Sequence, residues 1–199
     1  MKMYGRKIIR GTSFLFLIVC MLSLQSCMNI ATTGAEAVYN RHSIQKNLHD
    51  QYLTMQAYRA LYFETDKFKN ANIIVSTYHG EMLLAGQTPW LWQKSRAEEI
   101  VRHNTDVEKI YNLITVKAPS SSLTRVSDAW ITTKIKTKFL ASNDMDASQV
   151  KVITENGTVY LMGILLPEHA EAAVDLARNT VGVQRVVKIF SYMRISKKA

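Results

Sequence analysis

The sequence predicts an α+β protein made of two tandem α-β-β-α-β units, each a three-stranded mixed sheet with two helices on one face. Three observations carry this. First, the chain repeats itself: Ala71-Asn-Ile-Ile-Val-Ser-Thr-Tyr-His-Gly80-Glu-Met-Leu-Leu-Ala-Gly86 aligns with Ser148-Gln-Val-Lys-Val-Ile-Thr-Glu-Asn-Gly157-Thr-Val-Tyr-Leu-Met-Gly163 at a constant offset of 77 residues. Second, each copy reads as two extended runs joined by a two-residue turn ending in Gly80 or Gly157. Asn156-Gly157 suits the positive φ that a type I′ hairpin turn needs at both central positions. Third, a proline follows each hairpin, Pro89 and Pro167, and opens a helical pattern, where its missing N–H sacrifices no hydrogen bond.

The elements follow in order. With 199 residues, 47% hydrophobic and 21% charged, and only eight glycines and three prolines, the chain is neither a disordered tail nor a fibrous repeat. Residues 1–26 read as a secretory signal, with a basic end, an apolar core over Phe14 to Leu24 and a small residue before the cut. That core of about eleven residues falls short of the roughly twenty that cross a bilayer as a helix. Lys2, Arg6, Lys7 and Arg10 lie in this segment, which has no acid, so the formal +9 of the chain falls to +5 after it. A nucleic-acid reading weakens accordingly.

Leu24-Gln25-Ser26-Cys27 resembles the lipobox of bacterial lipoproteins, which implies a chain cut before Cys27 and acyl chains such as palmitate on that residue. Cys20, behind bulky Val19, fits the pattern poorly, and an ordinary signal with an incidental cysteine ranks below lipidation. Cys20 and Cys27 are the two cysteines of the sequence, so cleavage leaves no disulfide partner and no cysteine cluster for a metal. At about 0.8 kcal/mol per buried methylene, several acyl chains hold a protein at a bilayer. Met28 after the cysteine resembles lipoproteins sorted to the outer membrane, and the expected location is that membrane, facing the periplasm.

Residues 27–43 form a polar, lipidated tether. The first unit, 44–117, has a helix from Ile44 to Tyr62, the hairpin, a helix from Trp92 to Asn104 and a β-like run from Val107 to Val116. Residues 118–127, opening with Ala118-Pro119-Ser120-Ser121, have linker composition. The second unit, 128–195, has a helix from Asp128 to Ala141, the hairpin, a helix from Glu168 to Asn179 and a run from Val183 to Ile195; a basic tail, 196–199, follows. Gly80, Gly86, Gly157, Gly163 and Gly182 are read as structural turn glycines. In the last run Val183, Val186, Ile189 and Tyr192 do not alternate strictly, which suggests a bulge or an irregular strand end. Two helices on one face leave the other face wet, and units of roughly 70 residues have limited burial. Rigid docking of the two is not required.

On the helix that opens the second unit, Ile131, Ile135 and Phe139 form the stripe that covers the sheet. Trp130, Lys134 and Lys138 form a neighbouring stripe, with Thr133 and Thr137 on the other side of Trp130. An indole beside lysines suits a lipid interface, where each lysine near an anionic surface is worth about 1 kcal/mol. Angles alone leave a second reading open, in which Trp130 packs on the sheet edge and the lysines are a solvated face. By the 77-residue offset, the first-unit counterparts of Trp130, Lys134 and Lys138 are Leu53, Ala57 and Leu61, so that copy lacks the device.

Other chemistry is not indicated. His42, His49, His79, His103 and His169 have no metal-ligand spacing, and Asp144-x-Asp146-x-Ser148 with Glu155 lacks the glycine of a calcium loop. No nucleophile motif or phosphate loop occurs, so neither cofactor nor metal is expected and the protein is read as no enzyme. Trp90-Leu91-Trp92 is either an exposed cluster for a protein partner or a staple into the core, and the staple is the preferred reading.

The hairpin glycine, a second glycine closing strand two and the Gly182-Val183 step before the last strand resemble the BON domain of bacterial envelope and osmotic-stress proteins. The second unit carries the likeness most strongly, through Asp128-Ala-Trp-Ile-Thr-Thr-Lys134, Thr154-Glu-Asn-Gly157, Leu161-Met-Gly163 and Gly182-Val183-Gln184-Arg185-Val186. The resemblance covers roughly residues 44 to 195. It implies a non-enzymatic protein that binds anionic phospholipid, chiefly through the second unit, and supports envelope integrity and cell division, and it favours lipid contact as the reading of Trp130, Thr133, Lys134, Thr137 and Lys138. The alternative is an envelope scaffold that holds a protein partner, a cell-division protein for instance, with membrane contact only through the anchor. Nucleic acid is not an expected partner.

Overall fold

The computed structural model describes residues 34–63 and 66–193, with side chains from residue 45. Cys27, the segment 1–26 and the tail 196–199 lie outside the described residues. The elements run α1 (Gly34–Tyr58), a π-helical turn (Arg59–Phe63), a 3-10 turn (Asp66–Phe68), β1 (Asn72–Tyr78), β2 (Glu81–Thr88), α2 (Leu91–Asn104), β3 (Lys109–Asn112), β4 (Thr115–Val116), α3 (Ser122–Ala141), a 3-10 turn (Ala147–Gln149), β5 (Val150–Glu155), β6 (Thr158–Leu165), α4 (Pro167–Arg178) and β7 (Arg185–Tyr192). This is the α-β-β-α-β order twice. Each sheet is mixed: β1 and β5 run antiparallel to β2 and β6, while β3, β4 and β7 run parallel to them.

Strand pairing places the predicted irregularity in the other copy. β7 pairs with β6 without a break, from Thr158 opposite Arg185 to Leu165 opposite Tyr192. The third strand of the first unit is interrupted instead at Leu113-Ile114, dividing β3 from β4. Both sheet faces are apolar, which explains why β7 does not alternate. Val186 and Phe190 turn to the helices, and Val187 and Ile189 turn the other way.

The other way is not water. Leu83 and Ala85 of β2, Tyr160 and Met162 of β6 and Ile189 of β7 form one buried cluster, joined by Tyr78, Tyr111, Leu113, Ile153 and Val187. The two sheets therefore stack through the faces that were expected to be wet, giving helix, sheet, sheet and helix layers. Each larger side chain removed from water there contributes about 1.5–3 kcal/mol. Two cores of helix on sheet flank this seam, one around Leu53, Leu61, Phe68 and Leu84, the other around Ile131, Ile135, Phe139 and Leu161.

Polar contacts close the rim of the seam. The buried carboxylate oxygen Oε1 of Glu155 accepts from Gln87 Nε2 at 2.8 Å, Ser120 Oγ at 3.0 Å and Asn72 Nδ2 at 3.1 Å. At the other side Tyr78 donates its hydroxyl to Gln149 O at 3.0 Å and Lys151 Nζ donates to Thr77 O at 2.8 Å. The connection is shorter than its composition suggests, because Ser121 caps α3 by accepting from Thr124 N and starts the helix at Ser122 rather than Asp128.

Candidate membrane-contact site

The site rests on a clamp built twice. Asp128 is buried near the start of α3, where Oδ2 accepts from Asn156 N at 2.7 Å and Oδ1 from Gly157 N at 2.9 Å. Asp50 does the same for His79 N at 2.7 Å and Gly80 N at 3.0 Å. All four turn residues have positive φ, from 49° at Asn156 to 80° at Gly80. A tight left-handed turn directs successive N–H groups to one point, and a carboxylate satisfies both. Threonine hydroxyls reinforce each clamp, Thr54 to Thr77 and Thr132 to Thr154, both at 2.8 Å.

The clamp corrects the alignment of the helices. Asp50 and Asp128 differ by 78, one more than the hairpins, and the extra residue falls between Leu61 and Phe68, where the chain makes its π-helical turn. Leu53, Ala57 and Leu61 are thus the buried counterparts of Ile131, Ile135 and Phe139, and not of the Trp130 stripe. Tyr52, Gln56 and Ala60 stand where Trp130, Lys134 and Lys138 stand in the second unit. That first-unit face has an exposed Tyr52, bonded by Gln56 Nε2, and no lysine where Lys134 and Lys138 stand, although an exposed Arg59 takes the place of Thr137.

On α3 the inward face is Asp128, Ile131, Ile135 and Phe139. Trp130 points outward with 65% of its surface exposed. Thr133 and Thr137 share that side, their hydroxyls bonded back to Ala129 O and Thr133 O. Lys134 Nζ donates to Val181 O at 2.7 Å and Lys138 Nζ to Asn179 O at 2.8 Å. Both ammonium groups therefore lie over the turn that ends α4, where helix carbonyls converge and the dipole is negative. Each has three donors and gives one to this turn. The turn can come this close because Gly182, at φ 100°, has no Cβ; one would stand 3.0 Å from Ile131 Cδ1.

Sequence reasoning missed three members of this face. Leu123, Val126 and Val181 are 79%, 67% and 82% exposed. Leu123 and Val126 precede Trp130 at helical spacing, a signal hidden by starting the helix at Asp128; Val181 is brought in by the turn that Lys134 bonds. The result is an apolar stripe continued by two cations.

Two other expectations change. Trp90, Leu91 and Trp92 are all more than half exposed, so this cluster is a surface feature and not a staple; the buried residues of α2 are Gln93, Ala97 and Val101. Gly163 and Gly86 are not strand ends, since β2 and β6 continue past them to Thr88 and Leu165. Gly86 is required by closeness, a Cβ there falling 2.0 Å from Asn72 O. Among the described residues no three His, Cys, Asp or Glu side chains could hold a metal, and no helix is long and apolar enough to cross a membrane.

A family model described as the BON domain matches residues 49–118 and 127–193. The 21 kDa hemolysin of Actinobacillus pleuropneumoniae is 41% identical over 127 residues, 63% of this chain and 65% of that protein. The outer membrane lipoprotein DolP of Haemophilus influenzae is 30% identical over 175 residues, 85% of this chain and 90% of that protein. Among solved structures, CdsD of Chlamydia trachomatis, a structural protein of the type III secretion system, matches with a TM-score of 0.32 at 10% identity over 73% of this chain and 94% of that one.

Proposed function

The chain belongs to the BON-domain family, and from that premise we propose that it is a non-catalytic outer-membrane lipoprotein, anchored through Cys27, that binds anionic phospholipid with the outward face of α3. Through this contact it supports envelope integrity and cell division. The observation that carries the reading is an indole 65% exposed in a stripe with Leu123 and Val126, beside the ammonium groups of Lys134 and Lys138. Indoles settle at headgroup depth, and basic side chains add about 1 kcal/mol each at an anionic leaflet. Alone this is weak binding. Acyl chains on Cys27 would hold the patch beside the bilayer and convert it to an intramolecular contact at high effective concentration.

The test is titration of the Trp130→Glu chain with phosphatidylglycerol vesicles. Replacing an interfacial indole by a carboxylate is expected to weaken binding about tenfold or more, roughly 1.4 kcal/mol or above; unchanged binding rejects the face. A second reading draws on the exposed Trp90-Leu91-Trp92 cluster, as an apolar patch for an envelope protein partner. In that case the protein without acyl chains stays in solution when vesicles are sedimented.

A further inference from the structure

The first unit exposes an apolar cluster of its own at the opening of α2. Trp90, Leu91 and Trp92 are 58%, 68% and 51% exposed, although indoles are usually buried in large part. The helix cannot draw them in. Its inward line is Gln93, Ala97 and Val101, and successive residues at a helix start turn by about 100°, so the three side chains surround the tip of α2 rather than share one side of it. Val116, 46% exposed, stands beside them, since β4 sets it opposite Thr88, and Lys117 N donates to Thr88 O at 2.9 Å. Lys94 adds a second ammonium two residues past Trp92, on a helix with no acid in its first turn. Among the described residues neither Lys94 nor Lys117 has a carboxylate within ion-pair distance, and the acids further along α2, Glu98 and Glu99, are paired with Arg102 and Arg96.

This cluster lies at the same end of the molecule as the start of the α3 stripe. The linker is tied twice to the end of β2, by Lys117 N to Thr88 O and by Ser120 N to Gln87 Oε1 at 3.0 Å. Trp90 follows Thr88 by two residues and Leu123 follows Ser120 by three, so their Cα atoms are at most about 8 and 11 Å from those of the tied residues. A ring of apolar side chains around a helix tip is buried in full by end-on entry into a yielding phase, and lysines without acids beside it match a negative surface. Indoles at headgroup depth with ammonium groups around them suit an anionic bilayer. We propose that Trp90, Leu91 and Trp92 enter the membrane surface tip-first, with Lys94 and Lys117 on its phospholipid headgroups, as a second contact contributed by the first unit. Two contacts on one compact body bind more tightly than either alone and fix which side faces the leaflet. The second contact presupposes a chain held at an anionic leaflet, as proposed for α3, but makes no use of Trp130.

Trp90, Trp92 and Trp130 are the three tryptophans of the sequence, so fluorescence reports the two contacts separately. The full chain is titrated with phosphatidylglycerol vesicles carrying brominated acyl chains, which quench indoles that enter the bilayer. In the Trp130→Phe chain emission comes from Trp90 and Trp92 alone, and it is expected to shift to the blue and to be quenched. A chain with both Trp90→Phe and Trp92→Phe reports Trp130, so failure of the α3 face and failure of this contact are read in different proteins. Lys94→Met and Lys117→Met should each weaken binding about fivefold, the worth of one lysine at an anionic leaflet. All five positions lie outside the buried cores, so the fold is retained. Emission of Trp90 and Trp92 that stays unquenched at saturating lipid overturns the proposal, whether or not Trp130 is quenched, and is the result that a seat on a protein partner predicts. Undiminished binding in both lysine variants overturns it as well.

Discussion

Removing the Asp128 carboxylate is the most direct perturbation, because two short contacts set the size of the effect. Asp128→Ala leaves Asn156 N and Gly157 N without the acceptors that now stand at 2.7 and 2.9 Å. Hydrogen bonds to a charged group are worth about 1.5–3 kcal/mol each. Gly157 N is buried and loses its partner outright, whereas Asn156 N is partly accessible and water can replace some of the loss. The expected cost is about 3–5 kcal/mol, a large part of the roughly 5–15 kcal/mol that holds a domain together. Asp128→Asn keeps one acceptor and should lose about half as much. Ser127→Ala, one residue away and exposed, should stay within about 0.5 kcal/mol. Urea unfolding gives the free energies, and amide exchange at Gly157 shows whether the loss is local to the turn. Asp50→Ala must behave alike, since its geometry is the same. A cost below about 1 kcal/mol for both alanine variants would refute the view that the carboxylates lock helix to hairpin.

Glu155→Ala should cost about 1–3 kcal/mol by orphaning three donors at the seam, and should speed limited proteolysis between Lys117 and Ser121; an unchanged cleavage rate contradicts the interlock. Ala85→Lys puts an ammonium between the stacked sheets and should lower the thermal midpoint by about 4–8 °C or more, on the order expected for 2 kcal/mol or more in a body of this size; a surface-like response would mean the sheets do not pack. Burial, chiefly, holds His79 below the ordinary histidine range, with Lys46 acting in the same direction and Asp50 against it. The folded state therefore binds fewer protons than the unfolded one. This contribution is complete above about pH 6.5 and declines as pH falls below it. His79→Asn, which accepts the φ of 51°, should remove that slope in urea midpoints measured across pH 5–7.

The hairpins and the four principal helices are legible because a repeat, a turn glycine and a leading proline are local signals. The seam was legible too, in a form easily misread. Met82-Leu83-Leu84-Ala85 and Val159-Tyr160-Leu161-Met162 are continuous apolar runs, the mark of a strand covered on both faces, whereas one wet face demands alternation. Asp50 was harder to find, because a 77-residue offset slides it one place off Asp128 and the π-helical turn that absorbs the difference has no distinctive composition. At the site, Trp130, Thr133, Lys134, Thr137 and Lys138 do share one side of α3. The tie from Lys134 and Lys138 to Val181 and Asn179 depends on a residue separation of 41 or more, which no periodicity reveals.

The stacked sheets make the duplication self-completing. Half of this protein, cut at the linker and given to solvent, would present Leu83 and Ala85, or Tyr160, Met162 and Ile189, as an open greasy plate. Such a fragment would have to find another copy of itself to hide that plate, at an affinity governed by its abundance. Covalent continuity supplies the mate in advance and frees the outer helices for other business.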